Sequence, residues 1–148
     1  MANHVRRQIR EAVASAVTGL TTTGARVFQS RVYPLEDSDL PALLVVAEVE
    51  NADAATIHAP RVLERSVMVD VVGIAKAVAD LDDTLDLIAK EVETALATTS
   101  ALNGLAKTLG APQTDITLAG SADKPTGRIR LRYAVTYYTH DNAPDVAL

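Results

Sequence analysis

The chain contains no cysteine and no tryptophan, and only one phenylalanine. Lack of cysteine excludes disulfide staples, thiolate zinc sites and thiol nucleophiles, and leaves the compartment open. With so few aromatics, Ala, Val and Leu must fill the core, which favours closely spaced helices and β-branched strands. Long hydrophobic runs are missing too. The opening MANHVRRQIREAVASAV has a basic start, but Gln8, Arg10 and Glu11 interrupt it, so neither a secretion leader nor a membrane span is expected. Positive charge is in deficit. A net charge of −5 argues against free duplex DNA as the main ligand, since affinity there comes largely from neutralising phosphates.

What is present suits one packed domain. The chain has 148 residues, 48% of them apolar, which allows a single real core and argues against disorder. Val5, Ile9, Val13, Ala16, Val17 and Leu20 recur at helical spacing, with Arg6, Arg7, Arg10 and Glu11 on the other side. A helix is therefore expected over residues 3–18, with Asn3 as its N-cap. It stops in TGLTTTG. ARVFQSRVY reads as a short strand ending before Pro34. Pro34 and Pro41 bracket LEDSDL as a stiff, ordered turn at an edge.

ALLVVAEVE alternates, placing Leu43, Val45, Ala47 and Val49 on one face and Leu44, Val46, Glu48 and Glu50 on the other. NADAAT reads as loop. In RVLERSVMVDVVGIA, Leu63, Val67, Val69 and Val71 alternate with polar positions, while Arg65 falls on the apolar side, which suggests a strand that begins outside the core. DLDDTLDLIAKEVETALATTSAL carries the clearest helical stripe: Leu81, Leu85, Ile88, Val92, Ala95 and Leu96. QTDITLAGSADKPTGRIRLRYAVTYYTH reads as a long hairpin. The fold class expected is α+β: a mostly antiparallel or mixed sheet of about five strands with two main helices packed on one face. Residues 1–140 would form the domain and DNAPDVAL, 141–148, a flexible polar tail.

Catalytic and metal motifs are missing. His4, His58 and His140 lie in distant segments without ligand spacing, which favours solvated histidines over a site built by convergence. Asp80, Asp82, Asp83 and Asp86 suit a helix N-terminus better than a calcium loop, and a weak divalent site between subunits is the alternative. Ser66 and Ser121 have no recognisable base, and GSADKPTG has no phosphate-loop spacing. The most informative charge pattern is RIRLRY. Arg128, Arg130 and Arg132 share one strand face, either paired with Glu48, Glu50, Glu64 and Asp70 or turned toward a neighbouring subunit or a lumen. Arg6, Arg7 and Arg10 form a similar basic row, either solvated or facing an acidic partner.

This order of segments resembles the tail terminator (minor tail protein U-like) family of long-tailed bacteriophages and related gene-transfer particles. The likeness covers about residues 4 to 140, and its most specific element is RVFxSRVYPLxxxxLPALLV, carried by Arg31, Pro34, Leu40, Pro41 and Leu43. The resemblance implies a structural protein with no cofactor, no enzymatic activity and no membrane. Copies would form a homo-oligomeric ring, a hexamer, on the head-proximal end of the tail tube. There they would stop polymerisation and present a surface to the head–tail connector protein. DNA would pass through the lumen without sequence-specific binding. The protein would be assembled in the host cytoplasm and reside in the virion or phage-like particle. Many weak contacts suffice for such a ring, because closure multiplies them. Candidate contacts with the next subunit or the tube protein are Arg31, Glu36, Asp37, Asp39, Arg6, Arg7 and Arg10, with Arg128, Arg130 and Arg132 as the lumen or inter-subunit row. The alternatives are another neck, head–tail joining or tail-completion subunit and, further off, a small-molecule-binding α+β regulatory domain or an enzyme.

Overall fold

The computed structural model describes residues 2–29, 40–76, 80–119 and 126–148. The Val5, Ile9, Val13 repeat forms helix α1 (Val5–Ala16), which buries those three residues and Ala14. Its N-cap is His4, not Asn3. The His4 Nδ1 accepts the Arg6 N–H at 3.1 Å, while Asn3 binds further along, accepting from Gln8 through its carbonyl. Beyond α1 the chain turns through Gly19 and Gly24, whose φ values of +86° and +57° lie in the left-handed region that glycine tolerates best. Hydrogen bonds between Gly19 and Gly24, and between Gly24 and Leu20, close that turn.

The sheet has six described strands: β1 (Val27–Gln29), β2 (Ala42–Ala54), β3 (Val62–Lys76), β4 (Thr108–Leu109), β5 (Gln113–Ala119) and β6 (Thr126–His140). β1 runs parallel to β2, and every other pairing is antiparallel, so the sheet is mixed. The spatial order is β1-β2-β3-β6, with β4 and β5 both pairing along the far side of β6. The expected hairpin of β5 and β6 forms, in register from Gln113 opposite Arg132 to Ala119 opposite Thr126. NADAAT, read as loop, is strand for its first four residues: β2 continues to Ala54, with Asn51 opposite Ser66 and Ala54 opposite Leu63, and only Ala55 and Thr56 leave it.

Helix α2 (Leu81–Thr98) buries Leu85, Ile88, Ala89, Val92 and Leu96, matching the stripe read from sequence. α1 lies over β1 and β2 and α2 over β3 and β6, so both helices cover one side of the sheet. Between the layers sit Leu43, Val45, Val67, Val69, Val71, Ile129, Leu131, Val135 and Tyr137. Each fully buried aliphatic side chain contributes on the order of 1.5–3 kcal/mol. α2 approaches the sheet closely over Gly73 and Gly127, where a Cβ would lie 2.8 Å from Ile88 Cγ2 and 2.9 Å from Leu81 Cδ2. The last eight residues, read from sequence as a flexible polar tail, bond to the body: the Val5 N–H donates to the Pro144 carbonyl and the Leu148 N–H to that of Tyr138, both at 2.9 Å.

Candidate interface surfaces

β6 alternates without interruption, its odd-numbered residues from Gly127 to Thr139 buried against the helices. The even-numbered ones therefore share the opposite face, so Arg128, Arg130 and Arg132 form a row on the sheet side that no described helix covers. The pairing follows the expected set at Asp70 and departs from it elsewhere. Arg132 donates from Nε and Nη2 to Asp70 at 2.8 and 3.0 Å, a bidentate geometry that holds the guanidinium above its ordinary pKa, by hydrogen bond first and by charge second. Arg130 pairs with Asp115 on β5, directly opposite it in register, and its Nε is buried with no acceptor. Arg128 is exposed and has no bonded partner among the described residues. Arg128 and Arg130, with Glu48, Asp70 and Asp115, rim a depression of about 530 Å³ also lined by Val46 and Val72.

Glu50 and Glu64 are not part of this row. Glu64 accepts from the Tyr138 hydroxyl at 3.3 Å. Glu50 lies on the other face, because a β-bulge inserts Glu48 between Ala47 and Val49. Past the bulge the alternation changes phase: Val49 turns outward and Glu50, opposite Val67, turns toward the helices. Arg65, expected outside the core, is well inside β3 with its side chain only 12% exposed. It donates to Glu50 Oε2 at 3.2 Å and to Thr139 Oγ1 at 3.0 Å. Glu50 also receives Arg6 Nη1 at 2.7 Å and the buried Tyr137 hydroxyl, whose pKa is raised by burial first and by that bond second. The two pattern breaks, Arg65 and Glu50, answer each other.

Of the basic row on α1, Arg6 is committed to this cluster, Arg7 pairs with Glu11 one turn on, and Arg10 reaches Gln29 of β1 at 3.0 Å. Arg31, Glu36, Asp37 and Asp39 lie outside the described residues. Among the described residues no group of three His, Asp or Glu side chains is placed to hold a metal ion; Asp80 is the N-cap of α2, without a side-chain capping bond, and Asp82 and Asp83 lie in its first turn, as expected of acids at a helix N-terminus. No described helix is long and apolar enough to cross a membrane.

His4 is pressed below the ordinary histidine value of 6.5, by burial first and by the Arg6 charge second, with Glu50 opposing. A folded value below the unfolded one means that its contribution is complete above pH 6.5 and is lost as pH falls through the folded value. Thermal unfolding of the wild type between pH 7 and 5 is thus expected to drop more steeply than that of His4→Ser, which keeps a cap that does not titrate. Parallel slopes would show that capping is independent of His4 ionisation.

The fold is a two-layer α+β arrangement, with charged side chains on one sheet face and along its helices. The family model described as phage minor tail protein U matches residues 4–137. The chain belongs to the phage minor tail protein U family. The match takes in both helices and nearly all of the six strands, so the whole core described above is that of a family member. A comparison with individually curated proteins gives no match. Membership makes this a structural protein of the phage tail, with tail-assembly partners.

Proposed function

We propose that this member of the family is a tail terminator. Its copies close into a ring, a hexamer, on the head-proximal end of the tail tube, end polymerisation there and offer the head–tail connector its docking surface. The observation that carries this reading is a sheet whose described helices all lie on one face, and whose other face holds an arginine row and a polar-rimmed depression. That row faces either the DNA-filled lumen or the adjoining subunit. Glu48, Asp70 and Asp115 interleave with its arginines and balance much of their charge, which suits a surface past which DNA must slide without being held. Glu36, Asp37 and Asp39 supply acidic contacts to a neighbour's basic residues, stiffened by Pro34 and Pro41.

Native mass spectrometry over a concentration series, with and without Mg²⁺, tests ring formation, and electron microscopy shows its symmetry. The expected product is a closed hexameric ring, formed either in solution or on a tube end that templates it. Reversing the charges of Glu36, Asp37 and Asp39 together is expected to weaken assembly while the monomer stays folded. Unaltered assembly would remove that loop from the interface. A subunit found elsewhere in the neck of the particle, away from the tube end, would favour the head–tail joining reading.

A further inference from the structure

We infer that the α2/β5 end of one copy binds the α1/β1 end of the next, with β5 running antiparallel to its neighbour's β1. This rests on the ring reading and assigns the surfaces that make it. β5 pairs only with β6 among the described residues, leaving one edge of a seven-residue strand open. Its sequence, QTDITLA, carries neither the lysine nor the proline that commonly guards an exposed edge. Ile116 and Leu118 lie opposite Ile129 and Gly127, hence on the helix side, yet they are 51% and 61% exposed because α2 packs over β3 and β6 and stops short of β5.

The flank of α2 above them is acidic. Glu91 faces the α1 side, where it accepts the Thr22 N–H at 2.9 Å. Glu93 is on the other flank, beside Leu109, Gly110 and Tyr133. Asp82, Asp86 and Glu93 fall within about 60° of one another at 3.6 residues per turn, and all three are exposed.

The opposite end of the molecule carries the complement. β1 is the other edge strand of the sheet among the described residues, with its Val27 N–H turned back onto the Ala25 carbonyl and Gln29 following it; α1 lies over it, and Arg7 and Arg10 are set along that helix, with Arg10 reaching Gln29. Strand directions also fit. β1 and β2 run together, β3 reverses, β6 reverses again and β5 once more, so β5 opposes β1 in direction. Placing copies head to tail therefore brings two opposite-running edges together. The incoming α1 settles beside α2, covers Ile116 and Leu118, and sets Arg7 and Arg10 against Asp82, Asp86 and Glu93. A second copy is the occupant because two complements, a sheet edge of opposite direction and a row of opposite charge, stand together on this chain's other end. A contact of this heterologous kind closes into a ring when each step adds the same rotation.

The natural absence of cysteine makes cross-linking a direct test. Gln29 sits opposite Val45 and so on the helix side, as do Ile116 and Leu118. Gln29→Cys combined with Ile116→Cys or Leu118→Cys, assembled in solution or on tube ends and then oxidised, is expected to give a ladder of disulfide-linked multimers. The single variants should stay monomeric on the gel. Asp86→Arg with Glu93→Arg should cut the linked fraction at least tenfold, and adding Arg7→Glu with Arg10→Glu in the same chain should restore it. Rings seen by microscopy without these cross-links would overturn this contact and leave the ring reading standing. Dimers from Ile116→Cys alone would also overturn it, since they require two β5 edges to meet. Failure to assemble under either condition would overturn both.

Discussion

Glu50→Ala is expected to lose about 3 to 5 kcal/mol of unfolding free energy, the usual result of removing one member of a buried ion pair. The carboxylate is the shared acceptor for Arg6, Arg65 and Tyr137. Arg6 is partly exposed and can turn back to water, but Arg65 and the Tyr137 hydroxyl cannot. Without Glu50 the Arg65 guanidinium retains Thr139 alone, and the Tyr137 hydroxyl keeps its desolvation cost without its bond. Glu50→Gln, which keeps an acceptor but not the charge, should cost about 1 to 2 kcal/mol. Combining Glu50→Ala with Arg65→Met should recover much of the loss, since the stranded cation is gone. Urea unfolding reads all three. A loss under about 0.5 kcal/mol for Glu50→Ala, a surface-like effect, would mean that water already reaches the cluster.

Gly73→Ala tests the seat of α2 on the sheet. The added methyl would lie 2.8 Å from Ile88 Cγ2 and 3.1 Å from Ile129 Cγ2, with cross-strand pairing to Ile129 on one side and the helix above. Overpacking of this kind costs about 1 to 3 kcal/mol. The nearer clash is with a β-branch methyl, so Ile88→Leu, which has none, should recover part of the loss in the double variant. A stable Gly73→Ala with an unchanged urea midpoint would show that α2 rides further from β3 than the contact distances state.

Periodicity made most of this architecture legible. The stripes of α1 and α2, the alternation of β6 and the β5–β6 hairpin follow from residue spacing, because each element buries a single face against a single core. What escaped was non-local. The bulge at Glu48 leaves no mark in AEVE itself, yet it reverses the facing of Glu50, and only the position of its partners across the sheet makes that reversal tolerable. Arg65 was the available signal: a charge on the apolar side of a strand asks for a buried counter-charge. The N-cap shifted from Asn3 to His4 for a similar reason, since Asn3 ranks higher by propensity but His4 is the residue placed to accept the Arg6 N–H. That Arg128, Arg130 and Arg132 share one strand face was legible from alternation, but not Asp115, which meets Arg130 only through hairpin register. Exposure of Ile116 and Leu118 was equally hidden, because it depends on where α2 ends laterally over the sheet.

Termination is the central claim, and length control is its most direct readout. Purified tail tube protein would be allowed to polymerise with increasing amounts of this chain, and tube lengths and ends imaged by electron microscopy. The account predicts that elongation stops in proportion to added protein and that a six-fold ring of density sits on one end of each arrested tube. Tubes of unchanged length with bare ends would contradict it.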